Sequence, residues 1–66
     1  MTTFLVGDMV RADLTAQGLD RGWLYTVTEV HEDLTPFGNF VTYVVRHVGL
    51  GHVCAVSNGH MLLTKV

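Results

Sequence analysis

Four histidines (His31, His47, His52, His60) and a single cysteine, Cys54, are the side chains that could ligate a metal or serve nucleophilic chemistry. His52 and Cys54 stand two apart in an apolar run, which places both on one face of a strand. His47 precedes Gly49-Leu50-Gly51, so a hairpin there would bring it toward His52. A zinc site takes its ligands in recognisable pairs, and neither a Cys-x-x-Cys nor a His-x-x-x-His spacing is present. The expectation is therefore a small Cys54 packed inside, solvated histidines and no metal. Cys54 or Ser57 could attack a substrate only beside a base held by an orienting acid. His52 and His60 flank them in the chain, but Ser57 reads as a turn serine before Asn58-Gly59. Glu32-Asp33 read as carboxylates that keep a connection soluble. Gly18 and Gly22 are not followed by a helical pattern, so no phosphate-cradling loop is formed. These residues point to a protein that is not an enzyme and holds no cofactor.

Charge and composition restrict the partners. The basic residues are Arg11, Arg21, Arg46 and Lys65, against six acidic ones, for a net charge of −2. They are scattered, whereas nucleic-acid binders carry a basic patch, because phosphate contacts supply most of the non-specific affinity. Cys54 has no partner for an intramolecular disulfide, which fits a reducing, cytoplasmic setting. The stretch Met1–Asp8 lacks the basic and apolar regions of a signal peptide. No run approaches the ~18 apolar residues of a membrane span. At 66 residues the chain is one small domain, residues 1–66, and 48% of it is hydrophobic. A domain of this size buries only about 60% of its unfolded surface, so apolar area stays outside. Exposed apolar patches mark interaction sites, here for a protein partner or a second copy.

The elements that must position these residues read as strands. Trp23–Val30 and Phe40–Val48 are rich in β-branched and aromatic residues and form a central hairpin. Val30 breaks strict alternation, which predicts a β-bulge near Thr28-Glu29. His31–Asn39, with the only proline, Pro36, reads as the long polar connection. Before the hairpin, Gly7-Asp8 marks a turn into a strand at Met9–Ala12, with Val10 and Ala12 inward. Asp13–Gly22 reads as a loop anchored by Leu14 and Leu19, with room for a short helical turn at Leu14–Gln17. After it, Gly49–Gly51 and Asn58-Gly59 read as glycine turns with positive φ, the second leading into a last strand, Met61–Val66. Val10, Tyr25, Val27, Val30, Tyr43, Val45, Val56 and Leu62 are the expected core.

Five short strands with these turns make an all-β domain. Gly7-Asp8-Met9-Val10, the Gly18-Leu19-x-x-Gly22-x-x-Tyr25-x-Val27-x-x-Val30 stretch and the Asn58-Gly59 turn resemble a small five-stranded SH3-like barrel. In style the chain is similar to the SH3-like proteins encoded by bacteriophages and prophages. That resemblance implies an adaptor, an inhibitor of a host protein or a virion accessory. The acidic loop and paired tyrosines of proline-peptide binders are absent, as is the Val-Gln-Ile-Tyr motif of the plasmid-borne reductase of this fold. The expected function is a protein-interaction module that self-associates; the alternative is a nucleic-acid-associated SH3-like barrel. The contact residues expected are Trp23, Phe37, Phe40, Val44 and Val48. Trp23 is of the type that dominates binding hot spots, and Phe37 sits at a loop tip. Phe40, Val44 and Val48 line the outward side of their strand in one row, which a second copy could cover.

Overall fold

The computed structural model describes residues 4–57 and 59–66, with the side chain of His60 outside the description. In chain order it contains β1 (Met9–Ala12), β2 (Leu24–Thr35), β3 (Gly38–His47), β4 (Val53–Ser57), α1 (Gly59–Leu62) and β5 (Leu63–Lys65). The strands form one antiparallel sheet of five, in the order β4-β3-β2-β1-β5. The all-β class and the strand number agree with the sequence reading. The ladder is open, with β4 and β5 as its edges.

Alternation explains the core. Val10 lies opposite Tyr25, and Val27 opposite Val45, so one side chain in two from each strand points to the same face. Tyr25, Val27, Tyr43, Val45, Val56, Val10 and Ala12 are all buried, with Leu19, Leu63 and Phe4 closing the cluster. Phe4 meets Tyr43 edge-on at 5.2 Å between ring centroids. Gly7, at φ 95°, makes the bend that lets its N–H donate to the Val27 carbonyl. The bulge falls where expected: Val27 pairs with Val45 and Glu29 with Val44, leaving Thr28 as the extra residue. The Thr28 hydroxyl donates to the Val44 carbonyl, so the bulged side chain bonds across the hairpin it interrupts.

Four expectations need correction. First, His31–Asn39 is not a long loop. The β2–β3 ladder continues to Thr35 opposite Gly38, and the turn is Pro36-Phe37 alone. Proline presets the φ that such a turn needs. The Thr35 hydroxyl donates to the Gly38 carbonyl and accepts from the Phe37 N–H, closing the turn from inside. Second, Gly59 is not a positive-φ turn glycine. It opens the helical turn α1, and Asn58 lies outside the described residues. Third, that turn advances the following alternation, so Leu63 is the buried residue while Leu62 is half-buried, as is Val30 beyond the bulge. Fourth, Leu14 is exposed, and Leu19 alone anchors the loop after β1. No helical turn forms at Leu14–Gln17; an isolated bridge joins Ala16 to Leu19 instead.

The lengths of the elements shape the molecule. β1 pairs with β2 at Leu24–Thr26 and β4 pairs with β3 at Thr42–Arg46. Beyond those rungs the hairpin runs on as a two-stranded arm, and the long dimension is 37 Å against 21 and 19 Å. No residue from His31 to Phe40 is buried.

Candidate interaction surface

The histidines divide by burial. His47, fully buried, faces inward because it lies opposite Tyr25. Its ring stands 4.9 Å from Trp23, 5.0 Å from Tyr25 and 4.8 Å from His52. Nδ1 accepts from the N–H groups of Gly49 and Leu50, at 3.0 and 2.9 Å. A neutral imidazole has one donor and one acceptor nitrogen, so the proton sits on Nε2. Nε2 is buried with no hydrogen-bond partner among the described residues. The approach of His47 to His52 was legible from the hairpin; the burial of His47 was not, since solvated histidines were expected. The structural job of the ring explains the difference. It braces the Gly49–Gly51 turn, with Gly51 at φ 83°, and it fills the end of the core under Trp23.

Two of the candidate chemical groups are engaged by the backbone. The Nδ1 lone pair is already taken, and Cys54 donates its thiol hydrogen to the Gly18 carbonyl at 3.3 Å. Among the described residues no three of His, Cys, Asp and Glu gather as metal ligands. The backbone of Ser57 is engaged by Gln17, whose side-chain amide donates to the Ser57 carbonyl and accepts from the Ser57 N–H. One side chain thus stands in for a strand on the open edge of β4. Gln17 takes φ 53° to do so.

The apolar surface is more coherent. Phe40 and Val44 share the outer face of the sheet, opposite to Tyr43, Val45 and His47, and Val48 follows in the turn just past the end of β3. Phe40 and Val48 are half exposed and Val44 is partly covered. Around them on the same face stand Ala55 and Val53 from β4, opposite Val44 and Arg46. Leu24 from β2 joins them, its carbonyl accepting from the Val48 N–H. Phe37, at the tip of the arm, is 92% exposed. Trp23 is half exposed but packs on His47, so it belongs to the mouth of the core and not to the row. Leu34, 85% exposed on the arm, was missed, because the arm itself was read as a soluble loop. The signal was present in the alternation Val30-His31-Glu32-Asp33-Leu34 only in part, since Glu32 takes the place of an apolar residue.

No helix among the described residues is long and apolar enough to cross a membrane. Compared with known proteins, the chain matches no family model, no curated protein and no solved structure.

Proposed function

We infer that this protein is a non-enzymatic protein-interaction module of the SH3-like type, acting in a reducing cytosol and self-associating through the outer face of its sheet. The observation that carries the reading is the projecting arm. A two-stranded ribbon is marginal in water unless something packs on it. Here it presents Leu34, Phe37 and Phe40 to solvent and continues into the row Val44 and Val48. The meander from β2 to β4 and the return of β5 to β1 support the SH3-like reading of the topology. The scattered cations favour a protein partner over nucleic acid.

Light scattering at micromolar concentration tests the reading. The parent protein is expected to run as an oligomer, and Val44→Glu to return it to a monomer, because the new carboxylate would lie unpaired in the contact. A parent protein that is monomeric throughout overturns self-association. An oligomer untouched by Val44→Glu moves the contact to another surface.

A further inference from the structure

The outer face is charged asymmetrically along its length. On the arm half, Asp33 lies opposite Phe40, His31 opposite Thr42 and Glu29 opposite Val44. No lysine or arginine occurs from Gly22 to Val45. On the body half, Arg46 lies opposite Thr26 and Val53, and Arg11 opposite Leu24. Arg11 already pairs with Asp13 at 3.7 Å. Glu29 reaches His31 at 3.4 Å. Arg46, exposed, has no ion pair among the described residues, nor has Asp33.

We propose that the occupant of this face is a second copy laid antiparallel, related by a two-fold axis through Val44, so that Arg46 of each copy comes within side-chain reach of Glu29 and Asp33 of the other. This rests on the outer face being the self-association surface. The row Phe40-Thr42-Val44-Arg46, continued by Val48 where the turn beyond β3 still bonds to Leu24, is close to symmetric about Val44. Reversing it sets Phe40 over Val48, Val44 over Val44 and Thr42 over Arg46. Next to Thr42, on β2, is His31, flanked on the same face by Glu29 and Asp33. Each unpaired guanidinium therefore lies over Thr42, within side-chain reach of Asp33 and of the two Glu29 carboxylates that meet on the axis, and each apolar end lies at the other apolar end. A parallel arrangement, with the axis along β3, would instead set Arg46 on Arg46 and carry Glu29 and Asp33 over β4, away from it, and like charges brought together are strongly disfavoured. Two sheets stacked face to face keep their strands within about 30° and sit about 10 Å apart, a gap that the Arg46 side chain spans.

Charge reversal in solution tests it, with folding checked by circular dichroism. Arg46→Glu is expected to weaken the dimer at least about tenfold, as is Glu29→Arg combined with Asp33→Arg. The triple variant, carrying all three changes, is expected to recover most of the parent affinity, because the pairing is restored with its signs exchanged. Dimerisation of the parent is expected to weaken as salt rises. A dimer that Val44→Glu breaks but that ignores Arg46→Glu overturns the antiparallel charge match and leaves the outer face as the contact. A triple variant no tighter than its components overturns the match as well. A monomeric parent overturns both the match and the self-association beneath it.

Discussion

Gly59 shows how one residue can be required for a reason other than its backbone freedom. A Cβ at this position would lie 2.6 Å from Tyr43 Cδ2 and 3.3 Å from Leu63 Cδ1. Tyr43 is a buried ring in the middle of β3 and cannot step aside without disturbing Phe4. Gly59→Ala is therefore expected to lose about 1–3 kcal/mol, the usual range for overpacking. In a domain this small each kcal/mol shifts the melting temperature by about 4–8 °C, so a thermal melt reads it directly. An unchanged melting temperature would mean that α1 can move off Tyr43. His47 carries a second prediction at this scale. Nitrogen NMR should find Nε2 protonated and Nδ1 bare, since Nδ1 accepts two backbone N–H groups. The opposite tautomer would contradict the brace. His47→Ala should lose about 3 kcal/mol or more, from the cavity left among Trp23, Tyr25 and His52 and from the two donors left without their acceptor.

Elements in this protein are held at their edges by side chains. The outer edge of β4 is met by Gln17, reaching back from the loop after β1 to bond both backbone groups of Ser57. Exposed strand edges invite pairing with other chains, and such cover blunts them. Gln17→Ala should cost about 0.5–1.5 kcal/mol, the net worth of a hydrogen bond that water can replace. Hydrogen exchange at the Ser57 amide should speed up, and an unchanged rate would show that the edge is protected by something else. The arm is the opposite case: its ladder runs on to Thr35 opposite Gly38, and neither β1 nor β4 pairs with it. Phe37→Ser, at a site 92% exposed, should change stability by less than about 0.5 kcal/mol. A larger loss on chemical denaturation would mean that Phe37 packs on the chain in solution.

At the scale of the whole molecule the question is what a body this small does with an arm this long. The core occupies one end of a shape 37 Å long, and the other end carries Leu34, Phe37 and Phe40 without cover. The proposed dimer would lay each arm along the body of the other copy and hide Phe40, Val44 and Val48 in one contact, while Leu34, opposite Asn39 on the other side of the arm, would stay outside it. Phe37, beyond the row, remains available at each end of such a dimer. Limited proteolysis offers a further check. Cleavage within the arm should slow as protein concentration rises through the dimerisation range, and a rate independent of concentration would place the arm outside the contact.

The strand segments outside the arm and α1, the bulge at Thr28, the inward set Val10, Tyr25, Val27, Tyr43, Val45 and Val56, and the outward side of β3 were legible in the sequence. Each is a local consequence of period-two alternation or of a break in it. The same locality explains the misreadings. The polar residues of His31–Asn39 have the composition of a turn, and only pairing with β3 makes them strand. Asn-Gly favours positive φ, which predicts a turn glycine at Gly59, and only the approach of Tyr43 from β3 shows that space is the requirement. His47 and Gln17 were hidden for a related reason. A histidine braced by two turn amides and a glutamine replacing a strand both depend on partners that are brought near by folding. Alternation tells which way a side chain points; what it meets there is decided by the packing of the sheet.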